Sequence, residues 1–443
     1  MAAIITGIAL NVLDSTILNL ALPDITRHFG ASPAASVWVV NAYQLATLGL
    51  LLPCAYLGDR LGYRRVYLTG LAVFTVASVG CILAPTLPLL AGARAVQGLG
   101  AAGMMAVNAA LVRLTYPSNV LGRAIALNSV TVATASVAGP TIAAFVLSVA
   151  SWPWLFAIQV PLSLLVLVIG HRALPFNTVP PSAPRLRMGD VLMNAGMFSL
   201  FFLGADALGV RRGGAPDPQV MALAAVLIAA GIALGWFYLR RQARLETPLF
   251  PVDLLRIRVF ALSMCTSVTC FSAQTLAFVA LPFLLLEGHG RTHLEAGLLL
   301  TAWPAGIVLT ALVAGRLIPI FGGGWLGGVG LGVFSLGLAW LALLPDQPSR
   351  WQVAAACAVC GMGFGLFQSP NNHIIVTSAP LRRAGAASGM LGTARLTGQS
   401  TGAVILALVF SAMGVQGGGE FALGLASVLA AVAAAFSLLR LRA

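Results

Sequence analysis

Three charged side chains lie deep inside apolar stretches of this sequence: Asp14, Arg94 and Arg395. Nearly every other charged residue lies in or near a short gap between long hydrophobic runs. A charge in the middle of a membrane-spanning helix is costly, so it usually serves a function. The chemistries open to these three residues are proton transfer, binding of a charged substrate and internal ion pairing.

Asp14 lies midway along the first apolar run, and polar residues accompany it on one face of the predicted helix: Asn11, Ser15 and Asn19. Such a polar stripe faces a cavity or a neighbouring helix rather than lipid. Burial in a low dielectric makes a carboxylic acid easier to protonate. Asp14 is therefore either a site for a proton or a cationic substrate, or one member of a fixed ion pair or helix–helix hydrogen bond, with Arg94 as the obvious partner.

Arg395 lies well inside its apolar run, and Gln399 follows one helical turn later. No acidic residue lies deep in the second half of the chain to neutralise it. Three interpretations stay open: it binds an anionic substrate group, it pairs with Asp14 across a cavity, or backbone carbonyls satisfy it. A possible apolar pocket has four candidate lining residues: Phe271, Gln274, Phe278 and Trp303.

The composition identifies an integral membrane protein. Hydrophobic residues make up 59% of the chain and charged residues 8%, whereas a soluble domain has about 25% charged residues. The net charge of +13 comes from arginine without any lysine, which fits loops that face an anionic leaflet rather than nucleic acid. The expected partners are the lipid bilayer and a small hydrophobic or cationic substrate; we expect a monomer, no cofactor other than a proton gradient, and no metal.

The apolar segments predict fourteen spans, because a spanning helix needs about 20 mainly apolar residues. The predicted spans are 3–24, 36–57, 66–84, 88–112, 122–148, 153–171, 189–208, 218–239, 259–285, 295–315, 324–344, 351–377, 385–413 and 420–439. Arginines concentrate in alternate gaps, which places both termini in the cytoplasm by the positive-inside rule. We therefore expect a multi-pass protein of the bacterial inner (cytoplasmic) membrane.

The widest gaps on the predicted cytoplasmic side bracket the seventh and eighth spans. They divide the chain into a six-helix bundle over 1–171, an inserted helix pair with its linkers over 172–258, and a second six-helix bundle over 259–443. Ala55–Gly62 and Val313–Gly322 also share a Gly and an Arg-Leu at matching turns. Two related six-helix halves are a common plan among transporters, so the predicted fold is an all-α polytopic membrane protein.

The turn Ala55–Arg65, AYLGDRLGYRR, resembles the loop signature G-x-x-x-D-R-x-G-x-R-R of the major facilitator superfamily. Ala55 replaces the leading Gly, and five positions match: Asp59, Arg60, Gly62, Arg64 and Arg65. The resemblance implies a latch that closes the cytoplasmic side, in which the acid contacts a helix N-terminus. The alternative is an ordinary basic turn.

Two further motifs resemble the same superfamily. Arg94–Ala102 is similar to its fourth-helix pattern R-x-x-Q-G-x-G-A, with Gln97 on the face of Arg94 and Asn108 later in the helix. This resemblance implies a role for Arg94 in proton coupling; a structural arginine bonded to carbonyls is the alternative. Val137–Ala144 matches the fifth-helix antiporter motif only at Gly139 and Pro140.

The stretches Leu13–Pro23, Ser151–Pro161, Pro248–Phe260 and Gly385–Gly402 extend the resemblance to the fourteen-helix drug:proton antiporter subfamily of the major facilitator superfamily. The implied function is proton-coupled export of hydrophobic or cationic drugs by alternating access. A dedicated exporter of one metabolite or self-made antibiotic is the alternative. A membrane enzyme is disfavoured, because no His, Glu and Cys constellation shares one membrane depth.

Overall fold

The computed structural model describes residues 2–31, 33–176, 187–208, 211–212, 215–216, 218–246, 248–285, 289–291, 293–345 and 347–442. The helices are α1 (Ala2–Phe29), α2 (Pro33–Leu61), α3 (Tyr63–Ile82), α4 (Leu87–Thr115), α5 (Ser118–Val149), α6 (Pro153–Ala157), α7 (Gln159–Ala173), α8 (Met188–Ala207), α9 (Pro218–Gln242), α10 (Val252–Leu255), α11 (Arg258–Phe283), α12 (His293–Leu300), α13 (Ala302–Phe321), α14 (Gly323–Ala342), α15 (Arg350–Ser378) and α16 (Ala384–Leu439). Two short strands, β1 (Arg211–Arg212) and β2 (Ala215–Pro216), pair antiparallel, and 3₁₀ helices cover Leu381–Arg383 and Arg440–Arg442.

The predicted all-α membrane fold is confirmed. Ten helices in the described part of the chain are long and apolar enough to cross a membrane. The number becomes eleven if the bent pair Glu295–Ala311 and Val313–Phe321 counts as one span. The count of fourteen spans stays a prediction. The sixth predicted span is divided into α6 and α7, and the tenth into α12 and α13.

Helix α16 covers two predicted spans, 385–413 and 420–439, but it is not straight. A Cβ atom placed at Gly418 would lie 2.9 Å from a ring carbon of Phe410, whereas residues eight positions apart in a straight helix are about 12 Å apart along the axis. The hydroxyl of Ser437 donates to the carbonyl of Gly324, 2.9 Å away, at the start of α14. The chain therefore reverses direction between the two predicted spans.

Two sets of helices have separate hydrophobic cores. We call α1–α7 the first helix group and α11–α16 the second helix group. The first core contains Tyr67 and Phe74, and the second contains Phe334 and Phe364, all fully buried. Within the first group, α3 and α4 come so close that a Cβ at Gly100 would lie 2.5 Å from the backbone nitrogen of Phe74. The exact domain boundaries given above stay predictions.

Helices α8 and α9 pack on the outside of the first helix group. The amide of Asn194, a fully buried side chain, donates to the carbonyl of Gly49 in α2 at 2.8 Å. The linker that follows α9 reaches the second helix group, because Arg383 donates to both carboxylate oxygens of Asp253 in α10 at 2.8 and 3.1 Å. The inserted pair α8–α9 thus contacts the first helix group, and the linker that follows it contacts the second.

The two helix groups meet at one end of the bundle, which we call the closed end. It is the end where α2 and α4 finish and α16 begins. The hydrogen bonds that the structure describes between the groups all lie here, and they involve Asp59, Tyr63, Ala109 and Arg113 of the first group. Such a one-sided junction is one of the two arrangements that alternating access requires.

Candidate functional site

Asp14 and Arg94 form an ion pair inside the first helix group. An NH group of Arg94 in α4 donates to a carboxylate oxygen of Asp14 in α1 at 2.7 Å. Both side chains are 1% exposed. A buried pair in this low-dielectric position is held by its own geometry and by further hydrogen bonds, because water does not solvate either charge.

Gln97 supplies those further hydrogen bonds. Its amide NH₂ donates to Asp14 at 3.2 Å and to the hydroxyl of Ser78 in α3 at 2.9 Å, and it lies 3.4 Å from the amide oxygen of Gln159 in α7. Its own oxygen accepts from Arg94 at 2.6 Å. We call these five residues the Asp14 network. It joins four helices, α1, α3, α4 and α7, through one neutral cluster.

Tyr43 connects α2 to this network. Its ring centroid lies 4.3 Å from the guanidinium carbon of Arg94, and its hydroxyl donates to the amide oxygen of Asn11 at 2.6 Å. The Arg94 Nε group donates to the carbonyl of Val39 in α2 at 3.2 Å. Asn11 therefore faces neighbouring helices, and the position of the Asn19 side chain lies outside the described part of the chain.

Asp59 has the geometry that the latch interpretation requires. Its two carboxylate oxygens accept from the backbone N–H groups of Gly385 at 2.9 Å and Ala386 at 3.2 Å. The hydroxyl of Tyr63 donates to the same carboxylate at 2.7 Å. Because the first N–H groups of a helix lack partners within it and carry partial positive charge, an acid from the first group caps the first turn of α16.

The other residues of this motif shape the turn. Gly62 has φ of 100°, a left-handed conformation that favours glycine, and it joins α2 directly to α3. Arg64 donates to the carbonyl of His171 at the end of α7, and Arg65 is exposed. Arg60 lies in the last turn of α2 and is half-buried. These residues hold the helix ends around Asp59.

Arg113, in the last turn of α4, is a second contact of the closed end that the sequence analysis missed. One of its NH groups donates to the carbonyls of Val376 and Ala379, the latter at 2.9 Å, where α15 ends. A cation here complements the negative end of the α15 dipole. The only signal in the sequence was a basic residue in a gap between predicted spans. The positive-inside rule explains such a residue by topology alone, so it indicated no structural role.

Arg395 occupies a different environment in α16. It is half-buried, and its guanidinium carbon lies 5.7 Å from the ring centroid of Phe271 in α11. Gln274 and Gln399 are also half-buried. Among the residues whose side chains are described, Arg395 has no hydrogen bond or ion pair.

The two remaining predicted lining residues, Phe278 and Trp303, differ in their exposure. Phe278 is 45% exposed, but Trp303, which contacts it edge to face at 5.8 Å, is 1% exposed and packs on Phe334 in the second core. Trp303 therefore supports the core in this conformation instead of lining a cavity. Asn108 is half-buried, and its amide oxygen has no partner among the described residues.

The antiporter motif lies inside α5, which runs through Gly139 and Pro140. Gly139 is buried, and nothing is described for the Pro140 side chain. Within the described part of the chain, no group of three or more His, Cys, Asp or Glu residues could hold a metal ion. The role of this motif stays a prediction.

Arg440, which directly follows the last predicted span, is a further buried cation. It is 6% exposed, and its NH groups donate to Ser263 at 3.0 Å and to Asn371 at 2.7 Å. Burial lowers the pKa of this guanidinium to about 10. The contacts tie the end of the chain to α11 and α15, so Arg440 has a structural position.

Two helix groups that meet at one end, with a buried ion pair in the first and a half-buried arginine in the second, have the architecture of a helical membrane transporter. The sequence model of the Major Facilitator Superfamily matches residues 4–403 and 262–443, so the chain belongs to this superfamily. Its relatives by sequence and by fold are transporters, and the protein is not an enzyme.

The chain is 48% identical to an uncharacterized transporter of Escherichia coli, YebQ, over 99% of its own length and 94% of that protein. It is 27% identical to the riboflavin transporter RibZ of Clostridioides difficile, covering 88% and 83%. It is 29% identical to the multidrug resistance protein Stp of Mycobacterium tuberculosis, covering 93% and 76%. The crystal structure of human MFSD10 shares the fold, with a TM-score of 0.70, 12% identity and 98% of each chain covered.

Proposed function

We propose that the protein is a proton-coupled exporter of small hydrophobic compounds, of the drug:proton antiporter kind, that works by alternating access in the inner membrane with both termini in the cytoplasm. The observation that carries this proposal is the Asp14–Arg94 pair at 2.7 Å, in which both side chains are 1% exposed. The closed end would then be the cytoplasmic end, and the structure would represent the outward-facing state.

Protonation of Asp14 is tied to a change of shape by the cost of burying a lone charge. If Asp14 takes up a proton in the present arrangement, Arg94 remains charged at 1% exposure without an acid partner. Leaving one member of a buried pair uncompensated costs about 3–5 kcal/mol. A conformation in which α1 and α4 separate and water reaches Arg94 is then favoured, and this supports a cycle driven by proton binding.

The closed end provides the second requirement of such a cycle. The caps that Asp59 and Arg113 place on α16 and α15 each consist of two hydrogen bonds to a helix end, which can be released without disrupting either core. Each cap contributes about 1 kcal/mol. Free energies of this size can be offset by the binding of a proton to Asp14, which then shifts the equilibrium between the two conformational states.

The relatives support two kinds of cargo. The name of Stp refers to multidrug resistance, and the name of RibZ to riboflavin transport. A transporter dedicated to one metabolite, such as a vitamin or a self-made antibiotic, is therefore the second candidate. Dye and antibiotic panels separate the two, because a dedicated exporter protects against one compound class and a multidrug exporter against several unrelated ones.

The coupling is tested in inverted membrane vesicles with an imposed proton gradient. We expect Asp14→Asn to abolish uphill accumulation of a transported compound while exchange down its own gradient continues. The double variant Asp14→Asn with Arg94→Gln removes both charges and should fold but remain uncoupled. Asp24→Asn is the matched control, because Asp24 lies in the same helix, is half-exposed and, among the described residues, forms an ion pair with the exposed Arg27. Uphill transport at the normal rate in the double variant would remove this pair from the mechanism.

A further inference from the structure

Arg395 is a half-buried cation that has no hydrogen-bond or ion-pair partner among the described residues. Asp14 is occupied by Arg94 at 2.7 Å and is 1% exposed, so it does not reach across to α16. A hydrogen bond from Arg395 to a backbone carbonyl does not occur among the described residues either. Of the three interpretations open from the sequence, the described contacts favour the binding of an anionic group from outside the chain.

The position of Arg395 on α16 directs it toward the junction of the two helix groups. One face of α16 packs on α2 and α4 through Gly385, Ser388, Gly389 and Gly392. A Cβ at Gly392 would lie 2.6 Å from a side-chain carbon of Leu51 in α2. Arg395 and Gln399 continue the same face, since residues three and four positions apart are neighbours on a helix. Both are half-exposed just past the closed end.

The depth of Arg395 suits a transported compound. Arg395 lies about 16 Å along the axis from the start of α16, and Asp14 about 18 Å from the start of α1, at 1.5 Å per residue. A hydrocarbon core is about 30 Å thick, so both positions are near its middle. Substrate sites of transporters with two related halves lie at this depth, between the halves.

The chemistry of the neighbours defines the ligand. A guanidinium presents a planar fork of donors that matches a carboxylate in two parallel hydrogen bonds. The amide of Gln399 can add a donor one turn away, while the ring of Phe271 below the guanidinium and the exposed ring of Phe278 offer apolar surface. A hydrophobic cation would meet a like charge here, and no described acid other than the paired Asp14 lies at this depth.

We propose that Arg395 binds the acidic group of the cargo, so that the transported class is aromatic or apolar carboxylic acids and related monoanions rather than hydrophobic cations. The proposal rests on the transporter function proposed above and specifies its substrate class. Binding of the anion also neutralises a half-buried cation that has no partner among the described residues.

The test compares three probes that share one naphthalene ring: 2-naphthylacetate, its neutral amide and 2-naphthylmethylammonium. Binding to the full-length protein in nanodiscs is measured by equilibrium dialysis against empty nanodiscs. We expect the acetate to bind about tenfold more tightly than the other two, which is the size of a charge-assisted pair. Arg395→Gln should remove this preference and leave binding of the amide unchanged, and Arg395→Lys should retain part of it.

Arg382→Gln is the matched control, because Arg382 is exposed in the 3₁₀ helix before α16. Equal binding of the three probes, tighter binding of the ammonium, no saturable binding of the acetate, or a full preference in Arg395→Gln would each overturn the proposal. Dialysis does not depend on a proton gradient. If anion selectivity is present but coupled efflux is absent, the proposed function alone is contradicted. If coupled efflux is present but anion selectivity is absent, the substrate class alone is contradicted.

Discussion

Arg94 and Arg395 are the same residue type at comparable depth in the two helix groups, and their surroundings are opposite. Arg94 has an acid at 2.7 Å, a glutamine at 2.6 Å, a backbone carbonyl and an aromatic ring. Arg395 has only the ring of Phe271 at 5.7 Å among described residues. The charge of the first arginine is satisfied inside the protein, whereas the second has no hydrogen-bond or ion-pair partner among the described residues.

This difference separates two tasks that a transporter must perform. A neutral, fully bonded centre responds to protonation, because the loss of one charge exposes the other. A cation without a described internal partner responds to cargo, because an anionic ligand supplies the negative charge that would pair with it. In our interpretation, the first helix group senses the proton and the second group selects the substrate.

The largest effect is expected at the Asp14 network. Asp14→Asn leaves Arg94 charged and buried, which should lower the free energy of unfolding by about 3–5 kcal/mol. The double variant Asp14→Asn with Arg94→Gln should recover most of this loss, since no uncompensated charge remains. Thermal unfolding of the purified protein in one detergent measures both. Equal losses in the single and double variants would contradict the role of charge pairing.

The sequence predicted the membrane fold and the Asp59 turn, because both depend on local patterns. It gave the Asp14–Arg94 pair as one of two interpretations, because few charged residues lie deep in the apolar stretches and can pair there. It could not predict that Arg113 caps α15 or that Arg440 is buried, since both depend on which helix ends meet in space. It also gave Trp303 as a possible pocket residue, and in the structure this ring packs edge to face on Phe334 in the second core. Aromatic residues give the same pattern in both environments.

Arg113 is intermediate between the two arginines, because its partners are carbonyls rather than an acid or a ligand. Arg113→Gln and Asp59→Asn should each weaken the closed end by about 1–2 kcal/mol, which changes the ratio of the two states about 5- to 30-fold. Spin labels at Leu61 and Leu381, exposed residues of the two groups, measure this in a cysteine-free background. We expect a larger fraction of long distances.

Arg256→Gln is the control for this experiment, because Arg256 is exposed beside α10 at the same end and has no described contact with either cap. A distance distribution that is unchanged in Arg113→Gln but altered in Asp59→Asn would restrict the latch to the α16 cap. An equal change in both variants and in the control would show that the labels report surface charge instead of closure.

The smallest effect on stability is expected at Arg395, although this residue lies at a similar depth along its helix. Arg395→Gln removes a cation without separating it from a described partner, so the free energy of unfolding should change by no more than about 0.5 kcal/mol, and a slight gain is reasonable because a desolvated charge is lost. The same thermal unfolding assay used for Asp14→Asn measures it. A loss as large as that of Asp14→Asn would show that Arg395 has an internal partner, and the contrast between the two arginines would then disappear.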